Sequence, residues 1–221
     1  MTKMLRRHVV KLIFRLSLLI AAVFFYFRRP EMLEGGIFLW IIWLPLVAEM
    51  LFRLVPNKKI AMGARKHFRG SFAEGKLVRS TAHMHRGAIL SGLGWLTITA
   101  AILLGLHLTS HLSFAAVLLL MLLYSILDLI FIIFFCPLRV LFMRNFCCTT
   151  CRIYNWDYFM MCAPLILFPS PFSLSLVLLS AAVVIRWEIS LKRNPEFFSN
   201  KTNANLRCDA CSDKLCHLRL K

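Results

Sequence analysis

The chain has 221 residues, 59% of them hydrophobic and only 17% charged, with a formal net charge of +17. Soluble domains carry roughly 45–50% apolar and about 25% charged residues, so this balance excludes an ordinary soluble domain, and the long Leu/Ile runs exclude a disordered chain. Eight cysteines are too sparse for a disulfide scaffold, and at about 20 residues per span the chain holds four to six membrane helices with short loops and no separate catalytic domain.

The first apolar run, Leu12–Phe27, follows Lys3, Arg6, Arg7 and Lys11. Arg28, Arg29 and Pro30 come next rather than a small-residue cleavage site, so the run reads as a retained helix. Further spans are expected at Ile37–Val55, Ala88–Leu108 and Leu112–Phe135. The last apolar stretch, Tyr158–Trp187, would make a helix of about 45 Å, too long for a hydrocarbon core of roughly 30 Å. Pro169-Ser170-Pro171 interrupts it, and proline removes a donor and disfavours helix before it. The stretch therefore divides into Ile153–Phe168 and Phe172–Trp187.

Charge tests that division, because cytoplasmic loops collect Lys and Arg. Six spans place 25 of the 27 basic residues on the side of the N-terminus, the 56–87 loop, the 136–152 loop and the tail. Arg28 and Arg29 alone fall on the other side, whereas five spans give a 17-to-10 division. The expected architecture is all-α: six helices, or four plus a re-entrant hairpin, with both termini cytoplasmic. Residues 1–187 form the bundle, with a basic loop at 56–87, and 188–221 form a tail. The location implied is the inner (plasma) membrane, multi-pass. Basicity then serves orientation and attraction to anionic lipid, at about 1 kcal/mol per basic residue near the surface. The basic loop lacks the interleaved aromatics of a nucleic-acid platform, and no P-loop, nucleophile elbow or HExxH motif occurs.

Seven cysteines fall on the cytoplasmic side: Cys136, then Cys147, Cys148 and Cys151, then Cys208, Cys211 and Cys216. Cys162, inside the fifth span, reads as a small apolar packer. Cytosol keeps thiols reduced, so stable disulfides are not expected. Two CxxC pairs on one membrane face, Cys148/Cys151 and Cys208/Cys211, instead suit a tetrahedral four-thiolate zinc site or an iron–sulfur cluster. Cys136, Cys147 and Cys216 would serve a second, partial site. Unliganded thiols and a redox-active dithiol are the competing readings. An iron–sulfur centre would imply electron transfer with a redox partner protein. A transporter or accessory protein whose zinc only staples the tail is the alternative.

Cys136-Pro137-Leu138, the run Arg144-Asn145-Phe146-Cys147-Cys148-Thr149-Thr150-Cys151-Arg152-Ile153-Tyr154-Asn155-Trp156, and the segment from Asn203 to Cys216 together resemble an uncharacterised group of bacterial cysteine-rich membrane proteins. The resemblance covers the C-terminal third. It implies a small polytopic inner-membrane protein and brings no activity.

Glu49 and Asp128 are acids at membrane depth, where such groups cost about 2.5–3.5 kcal/mol on insertion scales. Arg15 and Arg53 are their candidate partners, in helix-packing ion pairs or a proton relay. His107 and His111 stand i, i+4 apart and read as solvated rather than metal-bound; His83 and His85 read as interfacial. Trp40, Trp43, Tyr154, Trp156 and Trp187 fall near span ends like an aromatic belt, with Trp95 the exception. Gly87, Gly92 and Gly94 would permit close helix packing.

Overall fold

The computed structural model describes residues 3–55, 72–73, 82–138, 141–142 and 151–207. These residues are organised as helices: α1 (Lys3–Arg28), the single turn α2 (Glu31–Glu34), α3 (Ile37–Leu54), α4 (Ala82–Leu108), α5 (Phe114–Ile133), α6 (Ile153–Cys162) and α7 (Pro171–Arg193). Short 3-10 turns follow at Ala163–Leu167, Pro195–Phe198 and Ala204–Leu206. α1, α3, α4, α5 and α7 are long and apolar enough to cross a bilayer.

α5 is apolar on every face, the pattern of a helix surrounded by others, and Val117, Leu118, Met121, Leu122 and Ile133 are fully buried. α1 packs along one side of it and α6 along another, while α7 joins α6 to α3. α4 lies at the edge and leaves Ile89, Leu93, Leu96 and Leu104 exposed, as α1 leaves Ile13, Ile20 and Phe24. Apolar surface this extensive is rare on a soluble monomer and is of the kind that lipid chains accept.

Contacts fix how the helices alternate. The starts of α1, α4 and α6 meet the ends of α3, α5 and α7 at one end of the bundle. There Lys11 pairs with Glu49 at 3.0 Å, the Arg53 guanidinium donates to the Tyr154 carbonyl at 2.9 Å, and Arg152 Nε donates to Glu188 at 3.0 Å. At the opposite end Phe25 meets Phe38, ring centroids 5.3 Å apart, Trp43 Nε1 donates to Ser175 Oγ at 2.8 Å, and the Phe114 ring contacts Phe168 and Phe172. α6 with its 3-10 extension thus runs from one end to the other. Its 15 residues span about 25 Å at helical rises of 1.5 and 2.0 Å per residue.

The break falls where expected. Ser170 Oγ accepts from the Ser173 amide at 3.1 Å and Pro171 occupies the first turn of α7. The 3-10 turn before it was not expected; Pro164 has no N–H to give the preceding turn, and the helix tightens there. α1 begins at Lys3 rather than Leu12, because Arg and Lys are good helix formers and carry the helix on to its apolar part. Gly36, at φ 83° ahead of α3, holds a backbone conformation that a β-carbon would strain.

The aromatic belt needs correcting. Trp40 is exposed and edges onto Trp43, but Tyr154 and Trp187 are buried core residues. Trp156 Nε1 donates to Glu188 at 2.7 Å and its ring lies under Arg152. Trp95 rests against Tyr124. Gly92 does permit close packing, since a Cβ there would stand 3.2 Å from the Trp156 ring, whereas a Cβ on Gly94 would meet nothing within 4 Å.

Beyond α7 the chain folds back against the bundle. Phe198 is 2% exposed and meets Trp187 edge-on at 5.9 Å. The Phe197 ring contacts Phe72, Asn203 Nδ2 donates to the Phe197 carbonyl at 3.0 Å, and the Ala204 amide donates to the Ala73 carbonyl at 2.9 Å.

Candidate functional site

The charged side chains of three helices converge near the basic end. α1 contributes His8, Lys11 and Arg15, three or four residues apart and so on one face. α3 contributes Glu49 and Arg53 at i, i+4. α6 contributes Tyr154, Asp157 and Tyr158 at i, i+3, i+4.

Two ion pairs result. Arg15 donates to Glu49 Oε2 at 2.9 Å and to the Ser125 carbonyl of α5 at 2.7 Å. Lys11 and the Tyr158 hydroxyl also bind Glu49, so one carboxylate serves three donors. Arg53 forms a fork with Asp157, Nη1 to Oδ1 at 2.7 Å and Nη2 to Oδ2 at 2.8 Å. Its guanidinium lies 4.4 Å from the Tyr154 ring centroid and 4.3 Å from that of Tyr158. A parallel fork combined with ring stacking uses the planarity of arginine in a way lysine cannot. Cationic stacking of this kind strengthens as water is removed.

Of the two candidate arginines, Arg15 is the partner of Glu49, while Arg53 pairs with neither Glu49 nor Asp128. Asp157, one turn into α6, takes both Arg53 donors first. Asp128 makes no hydrogen bond or ion pair with any described residue.

Asp128 stands in the wall between two cavities. One, of about 60 Å³, is lined by His8, Lys11, Arg15, Glu49 and Arg53. It is polar and has room for several waters. The other, of about 290 Å³, lies between α4, α5 and α6 and is almost wholly apolar, walled by Trp95, Tyr124, Phe131 and Met161. Besides Asp128, its lining includes Asp157, Tyr154 and two cysteines, Cys136 and Cys151.

Those cysteines are the described part of the expected thiolate site. Both are buried, and they reach one cavity from opposite ends of the 137–150 segment. Cys147, Cys148, Cys208, Cys211 and Cys216 lie outside the described residues, as do the His83 and His85 side chains and most of the basic loop. Among the described residues no group of three His, Cys, Asp or Glu could hold a metal. His107 and His111 are exposed at the end of α4. Cys162 is fully buried in the core, the packer it was expected to be.

Asp157, Tyr158 and the Arg152–Glu188 pair are what sequence reasoning missed. The signal for the first two was present: an acid flanked by two tyrosines on one helical face, one turn into a predicted span.

No protein-family model, curated protein or solved structure matches this chain.

Proposed function

We propose that the chain crosses the bacterial inner membrane six times, keeps both termini in the cytoplasm, and carries a thiolate metal centre at its basic end that serves in electron transfer. Cys148, Cys151, Cys208 and Cys211 are the preferred ligands of an iron–sulfur cluster, with Cys136, Cys147 and Cys216 available beside them. One observation carries the reading: Cys136 and Cys151 line one cavity at the end of the bundle where the tail docks through Phe198 on Trp187. Cys208 follows directly from that docked segment in the sequence, which supports a reading with the two cysteine groups on one membrane face. Four thiolates on one face satisfy either a cluster or zinc.

Six crossings are supported by the end-to-end course of α6 and its 3-10 turn, and by the 25-to-2 division of basic residues. The excess of positive charge assigns that end to the cytoplasm, where the basic side chains also meet anionic lipid. Reporter fusions after Lys221 and inside the 56–87 loop should both report cytoplasm. A periplasmic C-terminus would separate the cysteine groups across the bilayer and overturn the shared centre.

Metal content decides the chemistry. Protein purified anaerobically should contain iron and sulfide and absorb broadly in the visible. Cys148→Ser and Cys211→Ser should each lose the metal, and Cys162→Ser should keep it. A colourless zinc protein would instead favour a transporter or accessory protein with a structural site, the reading to which the buried ion pairs and Asp128 lend weight. Protein with neither metal refutes both forms of the centre.

A further inference from the structure

The 290 Å³ cavity between α4, α5 and α6 has the composition of a ligand site: apolar and aromatic walls with few polar groups. Its two carboxylates differ in state. Asp157 is bound by both Arg53 donors and by the Tyr158 amide at 2.6 Å. Asp128 faces the same space and is bound by no described residue.

The surrounding cations are all committed to other acids, which leaves Asp128 without a direct partner among the described residues. From α1, Arg15 is committed to Glu49 and the Ser125 carbonyl. Lys11 also pairs with Glu49 at 3.0 Å, and its side chain is 42% exposed. His8 accompanies them in the small polar cavity. From α3, Arg53 and Glu49 are both paired. α6 presents Asp157, Tyr154 and Tyr158, and α5 itself adds Tyr124, whose hydroxyl is bonded to Thr99 of α4 at 2.8 Å. α4 lines the cavity with Trp95 and Ile98, neither of which titrates, and the flanking segments add the Cys136 and Cys151 thiols. The pairs Arg15–Glu49 and Arg53–Asp157 are each neutral, and the further cation Lys11 is itself bound to Glu49 rather than to Asp128. An ionised Asp128 at membrane depth is then costly unless it takes a proton or a counter-cation. The rings of Trp95, Tyr124 and Phe131 complete the selection, because aromatic walls attract an organic cation that has shed its water.

We propose that this cavity binds a lipophilic organic cation in exchange for the proton of Asp128. The exchange balances: the carboxylic acid and the free cation become a carboxylate–cation pair, and one proton leaves. Its exit is the small cavity on the other side of Asp128, which runs toward Lys11 and His8 at the basic end.

The test uses full-length protein in detergent with 1-methyl-4-phenylpyridinium and its uncharged isostere 4-methylbiphenyl. The cation should bind at least about tenfold more tightly than the isostere and release one proton per molecule into a weakly buffered medium. Competition with a proton makes its affinity rise by up to about tenfold per pH unit wherever Asp128 is protonated. His8→Gln should keep that slope. Asp128→Glu should keep both binding and slope, and Asp128→Asn should weaken binding by at least about tenfold and flatten the slope. Equal binding of the isostere, affinity independent of pH, full binding by Asp128→Asn, or no binding of the cation would each overturn the proposal. If Asp128→Asn fails to fold, the isostere comparison and the proton count on the unmodified protein still decide.

Discussion

Asp157→Asn should destabilise the bundle by about 3–5 kcal/mol, the cost of leaving one partner of a buried ion pair uncompensated. The substitution keeps the size of the side chain and removes only its charge. Arg53 is 8% exposed and held between two tyrosine rings, so its guanidinium cannot swing out to water. The Tyr154 carbonyl and the amide oxygen of the substituted side chain would remain as neutral acceptors. A neutral hydrogen bond inside a membrane bundle is worth far less, about 0.6 kcal/mol on average, so a loss of several kcal/mol identifies a charge effect. Arg53→Met combined with Asp157→Leu should recover much of the loss, because both charges then leave together and apolar side chains fill their volume. Unfolding by heat or by sodium dodecyl sulfate titration in micelles measures both variants. A single-variant loss under about 1 kcal/mol would show that the pair does not hold α3 to α6.

The positions of the five long apolar helices were legible in the sequence because runs of about 20 apolar residues stand out without knowledge of any partner. Proline placed the turn before α7 for an equally local reason, the missing donor. Rotation of a helix about its own axis is not local. Tyr154 and Trp187 fall at the depth of an aromatic belt, yet packing turns both inward, and nothing in their spacing distinguishes a ring facing lipid from a ring under Arg53 or Phe198. The charged cluster divides along the same line. Arg15, Arg53, Glu49 and Asp128 could be picked out because each is a conspicuous charge in an apolar run, but which cation meets which acid could not. Asp157 was overlooked although it is as conspicuous, and with it the reason Arg53 does not serve Asp128: an arginine fork closes on one carboxylate at a time. The docked tail was illegible because Phe197 and Phe198 sit among polar residues with no period to announce a buried face. The partner of Phe198, Trp187, lies eleven residues earlier, in a helix, and that of Phe197, Phe72, lies far back in the chain.

That docking should fail in Trp187→Ala. Trp187 is 1% exposed and supplies the surface on which Phe198 rests. Removing a buried tryptophan costs about 3–5 kcal/mol when the site cannot collapse, and here much of the contact joins α7 to the segment after it. The tail also holds by the Ala204–Ala73 bond and the Phe72–Phe197 contact. Chymotrypsin reads the result directly, since Phe197 and Phe198 are both buried and cleavage requires exposed, extended chain. Cleavage there should accelerate by at least about tenfold, the factor that corresponds to 1.4 kcal/mol of local opening. Trp187→Phe, which keeps a ring, should stay close to the unmodified rate, and helix content should stay unchanged in both. If Cys208 and Cys211 share a metal with Cys148 and Cys151, the same Trp187→Ala protein should lose metal affinity as well. Closing the site would then require ordering the tail again, and ligand binding and folding draw on one free energy. Faster cleavage with unchanged metal affinity would confine the centre to the cysteines around Cys151, while an unchanged cleavage rate would mean that Trp187 does not anchor the tail.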